Sequence, residues 1–179
     1  MTAVAGPFLA IAALLAAGGV LKVARPATTA KALETMGLPS SPSLVRVGAA
    51  VEATVAAAAV VWAAPALAAA VAMSYAGFAG FVLAALRRGV PLSSCGCFGV
   101  DDTPPTYGHV ALNLVAAAVA TTVALGSSRA GLVDLGRLEG SVLLRCVFLV
   151  VTAACAWLAY VALTLLPQVL GRRSPAVAR

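Results

Sequence analysis

The residues best equipped for chemistry lie in one short run, Cys95–Gly99, which reads CGCFG. Two thiols one residue apart, beside glycines that permit unusual backbone angles, can close a small strained disulfide ring. Strain raises the reduction potential of a disulfide, so we expect Cys95 and Cys97 to exchange with other thiols. Two alternatives stay open: a metal site, for which His109 is the only histidine available, and two unrelated loop cysteines.

His109 and Asn113 follow this run and are four residues apart, so they share one face of a predicted helix. His109 could favour the thiolate form of a nearby cysteine or pass a proton during exchange. It could equally be a polar residue at a helix start, bonded to a neighbouring carbonyl. Asn113 is expected to orient His109 or to bind an adjacent helix.

Glu52 lies about ten residues inside a long apolar stretch, where an ionisable side chain is costly and indicates a functional site. It is either protonated or paired with a cation. Arg46 lies six residues earlier, about 240° around the helix, so it is not on the same face. Lys22, on another helix, is therefore the better candidate partner. The alternative is a purely structural polar contact.

Two more cysteines, Cys146 and Cys155, are nine residues apart near the end of the chain. They lie half a turn apart on a helix, so they cannot bond to each other within it. We expect them to be small packing residues. A resolving thiol that faces the Cys95–Gly99 run is the alternative.

The composition requires a membrane setting for all these residues. Hydrophobic residues make up 62% of the 179 and charged residues 10%, whereas soluble domains have roughly 45–50% and 25%. These values exclude an ordinary soluble domain and a disordered chain. The net charge of +6 comes from Lys and Arg between apolar runs, so it indicates membrane orientation and not nucleic-acid binding. The lipid bilayer is the predicted surrounding.

The apolar runs predict one integral membrane domain over residues 1–179, an all-α bundle with about five transmembrane helices. A redox loop is expected at 91–107. Within the bundle, the Ala-rich stretch 53–72 is either a close-packing face or a compositional bias. The predicted spans are about 7–24, 43–62, 65–86, 108–125 and 141–166.

The basic residues predict the orientation of the bundle. Five spans place nine Lys and Arg on one side and three on the other. By the positive-inside rule, the N-terminus is then outside and the C-terminus cytoplasmic. The nine are Lys22, Arg25, Lys31, Arg46, Arg87, Arg88, Arg172, Arg173 and Arg179. The three are Arg129, Arg137 and Arg145.

Taken together, these residues resemble the MauE family of methylamine utilisation proteins, within the wider DoxX-like group of membrane proteins. The resemblance rests on Lys22 with Pro26, on Glu52, on the CGCFG run and on His109 with Asn113. It covers about residues 5–165. The DoxX-like group implies a compact four-helix core, here with one helix added, in the plasma membrane of a bacterium.

The resemblance also implies a function: maturation of the disulfide-rich small subunit of methylamine dehydrogenase, or of a similar exported client, with a thioredoxin-like partner. In this interpretation Cys95, Cys97 and His109 carry thiol–disulfide exchange, and Lys22, Glu52 and Asn113 support it inside the membrane. No cofactor and no nucleic acid are predicted. A small-molecule transporter and a non-catalytic scaffold are the alternatives, so whether the chain is an enzyme stays open.

One tension follows from these expectations. The clients of such a system lie outside the cytoplasm, whereas the basic residues place the Cys95–Gly99 run on the cytoplasmic side. Either a thiol pair near the membrane boundary exchanges with both faces, or the charge bias misassigns the orientation.

Overall fold

The structure is a computed structural model that describes residues 4–89, 106–126, 130–136 and 142–164. All the secondary structure in these ranges is helical, which confirms the predicted all-α class. The helices are α1 (Ala5–Ala24), α2 (Pro26–Thr35), α3 (Pro42–Trp62), α4 (Pro65–Arg88), α5 (Tyr107–Leu125), α6 (Leu132–Gly136) and α7 (Val142–Thr164).

Five of these helices, α1, α3, α4, α5 and α7, are long and apolar enough to cross a membrane. Each has 19 or more residues, and about 20 helical residues span the hydrocarbon core of a bilayer. The predicted polytopic bundle is therefore confirmed. The remaining helices, α2 and α6, have 10 and 5 residues.

Prolines start the two central helices. Pro42 occupies the first turn of α3, where its missing N–H is not needed, and the Ser41 side chain caps this turn by accepting from the Leu44 amide at 3.1 Å. Pro65 starts α4 in the same way. Between them, Ala63 ends α3 in the left-handed region, with φ of 45°. The short connection makes α3 and α4 an antiparallel hairpin.

Small residues hold the bundle together. In the Ala-rich stretch, Ala56, Ala59 and Ala63 are buried in the main core, which supports a packing face there. Gly19 of α1 lies against α3 so closely that a Cβ atom on it would be 2.9 Å from the Ala49 carbonyl oxygen. Close helix approach through small residues is the usual packing in membranes, because apolar side chains gain little over lipid.

The two outer helices pack differently. α2 contributes Ala32 to a small cluster with Ala85, near the end of α4. α7 packs mainly against α1, where Phe148 lies beside Gly6. Cys146 and Cys155 of α7 are both exposed and free, so the expectation that they are packing residues is wrong. Both thiols lie on the surface that the described bundle leaves to lipid.

Candidate functional site: a buried ion pair beside a membrane cavity

Lys22 and Glu52 form an ion pair between α1 and α3, with 2.5 Å between Lys22 Nζ and Glu52 Oε1. Their side chains are 5% and 15% exposed. Lys22 is thus the partner that the sequence favoured for Glu52. The close packing of α1 on α3 at Gly19, one turn before Lys22, brings the two helices near enough for this contact.

The pair lies deep in the bundle. Glu52 is ten residues after Pro42, the start of α3, which is about 15 Å along a helix axis. Lys22 lies two residues before the end of α1, so the pair joins the interior of α3 to the end of α1. The Lys22 ammonium also lies 4.5 Å from the ring centroid of Phe78 on α4, a favourable cation–π geometry. The ammonium therefore contacts three helices at once: its own, α3 and α4.

His109 is 3% exposed and occupies the first turn of α5. Its Nδ1 accepts from the Thr106 backbone amide at 3.2 Å and lies 2.8 Å from the Thr106 hydroxyl oxygen. A backbone amide can only donate, so the proton of the neutral imidazole is on Nε2. His109 is therefore a polar residue at a helix start that caps α5 through the Thr106 amide and hydroxyl, where the sequence had suggested a bond to a carbonyl. The contact with the Thr106 amide fixes the ring in one tautomer.

Asn113 lies one turn further along α5, and its side-chain amide donates to the His109 backbone carbonyl at 2.8 Å. This contact is within α5. Asn113 therefore contacts His109 through the backbone carbonyl and not through the imidazole. Asn113 instead ties down the backbone of the turn from which His109 projects.

A cavity of about 90 Å³ brings most of these residues together. Glu52, His109 and Asn113 all line it, and Lys22 lies behind Glu52. The cavity is bordered by α1, α3, α4 and α5, and Ala159 of α7 completes its wall. Glu52 of α3 and two polar residues of α5, which are far from Glu52 in the sequence, therefore face one space inside the helical bundle.

Two aromatic residues of α4, Tyr75 and Phe78, also line the cavity, and the sequence interpretation did not include them. The Tyr75 hydroxyl donates to the Ile11 carbonyl of α1 at 2.7 Å. The two rings meet edge to face, with 6.2 Å between centroids. A signal was present for Tyr75: a phenol in the middle of an apolar span must find a polar partner.

Cys95 and Cys97, and most of the predicted redox loop 91–107, lie outside the described residues. The described part of the chain contains no group of three or more His, Cys, Asp or Glu that could hold a metal ion. What it does contain is a neutralised ion pair, an imidazole with a defined tautomer and two aromatic rings around a small space. Such a site can bind a small molecule or relay a proton.

Comparison with known proteins identifies the family to which the larger part of the chain, including α1–α5, is similar. Residues 2–126 match the family model described as Methylamine utilisation protein MauE. The match is well over half of the chain and includes all of α1–α5, with the ion pair, the Cys95–Gly99 run and His109. It ends before α6 and α7, whereas the resemblance read from the sequence extended to about residue 165. No curated protein and no solved structure gives a significant match.

Proposed function

Because the chain belongs to the MauE family of methylamine utilisation proteins, we propose that it is a membrane thiol–disulfide exchange component that matures an exported, disulfide-containing protein. Family membership supports a part in methylamine utilisation. The finer assignment is that Cys95 and Cys97 form the exchanging pair. The small subunit of methylamine dehydrogenase, or a protein like it, is the client, and a thioredoxin-like protein is the redox partner.

The observation that carries this proposal is the burial of His109 in the first turn of α5, the helix that follows the thiol pair in the sequence. An imidazole whose Nε2 carries the proton and whose Nδ1 is held by Thr106 is oriented, which suits a group that gives and takes protons. Its place beside the cavity that Glu52 lines supports a role inside the membrane.

The proposed exchange transfers two electrons and two protons from the client to this protein. Two client thiols lose two electrons and two protons and form a disulfide. The Cys95–Cys97 disulfide is reduced to two thiols in the same reaction, through a mixed disulfide that a second thiolate resolves. His109 accepts and returns a proton during these steps. The protein acts in the plasma membrane of a bacterium, with its N-terminus outside and its C-terminus in the cytoplasm.

Serine substitutions test this function with controls from the same chain. Cys95→Ser and Cys97→Ser should each abolish client maturation and leave membrane insertion intact, because one thiol cannot close the ring. Cys146→Ser and Cys155→Ser, at exposed positions of α7, should have no effect. Maturation is measured as the fraction of client with its disulfides formed. Full maturation in both loop variants would overturn the proposal.

A small-molecule transporter is the second candidate, and the cavity beside Glu52 favours it. The two functions differ in which residues they need. A transporter needs Glu52 and tolerates serine at both loop cysteines, whereas the exchanger needs both cysteines. Uptake and client maturation measured in the Cys95→Ser/Cys97→Ser double variant separate the two. A scaffold would tolerate all these changes as long as the protein inserts.

A further inference from the structure

Five exposed basic side chains lie at one end of the bundle. This is the end where α1 and α4 finish, where α3 begins and where α2 joins α1 to α3. α2 packs on the last turn of α4 through Ala32 and Ala85. The basic residues therefore come from four helices that meet at one surface. They are Arg25, Lys31, Arg46, Arg87 and Arg88.

The positive charge of this end exceeds the negative charge around it. Lys22 does not add to the surface, because it is buried and paired with Glu52 inside the bundle. Among the described residues of this end, Glu34 is the one exposed carboxylate. Asp101 and Asp102 lie between α4 and α5 in the sequence, and they still leave the five cations in excess. A negatively charged partner therefore fits this end.

Exposed apolar side chains lie among these cations, which favours a lipid over a soluble partner. Leu44 and Val47, on either side of Arg46 in the first turns of α3, are 54% and 64% exposed. Leu38, which follows α2, is 45% exposed. A basic side chain can lay its apolar stem along acyl chains and hold its charged head at the level of the phosphates. A nucleic acid or a soluble acidic protein would leave the apolar side chains in water.

The basic groups also suit a phosphate. Four of the five are arginines, whose planar guanidinium binds phosphate oxygens through two hydrogen bonds and keeps its charge at any physiological pH. Phosphatidylglycerol carries a net negative charge on its headgroup. The phosphate of phosphatidylcholine is neutralised by its own choline, so it gains less from an excess of cations.

From these features we propose that the surface formed by α2, the last turn of α4 and the first turns of α3 binds the headgroups of anionic phospholipids. Each Lys or Arg near an anionic membrane surface strengthens binding by roughly a factor of five. The inference goes beyond the proposed function and is independent of it, since none of these residues takes part in the thiol exchange.

Lipid binding to the purified protein in a neutral detergent tests the proposal, with bound lipids counted by native mass spectrometry. Dioleoylphosphatidylglycerol should bind about tenfold or more tightly than dioleoylphosphatidylcholine. The variant Lys31→Gln/Arg87→Gln/Arg88→Gln should lose most of this preference, because three cations are removed. Arg88→Gln alone should lower it roughly fivefold.

Two control variants separate charge from structure. Arg87→Lys/Arg88→Lys keeps both charges and should keep most of the preference for phosphatidylglycerol. Glu34→Gln removes the exposed carboxylate of the surface and should keep or increase it. The neutralised triple variant should melt as the wild type does in phosphatidylcholine, since its three positions are exposed.

The outcomes decide the proposal. A wild type that binds both lipids equally, or a triple variant that keeps the preference, would overturn it. Inorganic phosphate and polyglutamate, added at the same concentration of negative charge, should leave phosphatidylglycerol bound. Full displacement by phosphate would assign the surface to a free anion, and full displacement by polyglutamate would assign it to an acidic protein. Raised salt should weaken the preference, because it screens charges at an exposed surface.

Discussion

Lys22 and Glu52 neutralise each other at a depth where either charge alone would be expensive. Removing one partner of a buried pair typically costs about 3–5 kcal/mol, because the other charge stays behind uncompensated. Replacing both by apolar residues of similar size is often close to neutral. The pair can therefore be tested separately for its part in stability and for its part in function.

We predict that Lys22→Met and Glu52→Leu each lower the melting temperature of the protein in detergent, and that the double variant regains most of the loss. The matched control is Lys31→Met, at an exposed position of α2, which should change little. If the pair also serves the exchange, the double variant melts nearly normally but matures little client. Single variants as stable as Lys31→Met would contradict the assigned pair.

The sequence predicts some residues of the site and not others, and the difference lies in their chemistry. A carboxylate in an apolar span must be compensated, so Glu52 and its partner Lys22 could be identified before the structure. Phe78 could not be placed at the site, since an aromatic ring in a membrane helix is as ordinary in lipid as in a cavity wall. The phenol of Tyr75 could be expected to find a polar partner, but the sequence does not show that this partner is the Ile11 carbonyl. For Asn113 the structure adds a detail that the sequence does not specify: its amide donates to the backbone carbonyl of His109 within α5.

At the scale of the helices, the contact of α1 with α3 decides whether the site can form. Gly19 provides this contact, because a Cβ on it would lie 2.9 Å from the backbone nitrogen of Ala53 as well as from the Ala49 oxygen. Backbone atoms cannot move aside as a flexible side chain can. A larger residue must therefore push α1 away from α3 and separate Lys22 from Glu52.

Gly19→Ala should therefore lower the melting temperature, and Gly19→Val should lower it more. Gly48 of α3 is the control, since a Cβ there would meet nothing within 4 Å. Gly48→Ala should be neutral or stabilising by up to about 1 kcal/mol, because alanine is the better helix former. Equal effects of alanine at the two positions, measured by thermal unfolding in the same detergent, would show that α1 and α3 are not in close contact at Gly19.

The helices differ in how far the sequence determines them. Prolines at 42 and 65 begin α3 and α4, and only Ala63 and Ala64 connect the two helices, so the sequence predicts both helix starts and the short turn between them. The position of α7 was not predictable, because the sequence of an apolar helix does not show which side meets lipid and which meets protein. For this reason the exposure of Cys146 and Cys155 became clear only from the packing of α7.

At the scale of the whole molecule, the bias of nine basic residues against three predicts the orientation of the bundle. A green fluorescent protein fused at the C-terminus should fluoresce, because it folds in the cytoplasm. Alkaline phosphatase inserted in the 127–140 segment should be active, because it requires export. The opposite pair of results would reverse the orientation and place the Cys95–Gly99 run on the outer side, where an exported client is found.

The central claim concerns the redox state of two thiols, and alkylation gel-shift measures it most directly. The background is Cys146→Ser/Cys155→Ser, so that Cys95 and Cys97 are the only cysteines left. Membranes are alkylated with a mass-adding maleimide before and after reduction. The account predicts a reducible Cys95–Cys97 pair, so both thiols are protected from the maleimide before reduction and labelled after it. When either cysteine is replaced, the remaining thiol is either labelled without reduction or held in a mixed disulfide with a partner. Two thiols that stay labelled under every oxidising condition, in a protein that still matures its client, would contradict the account.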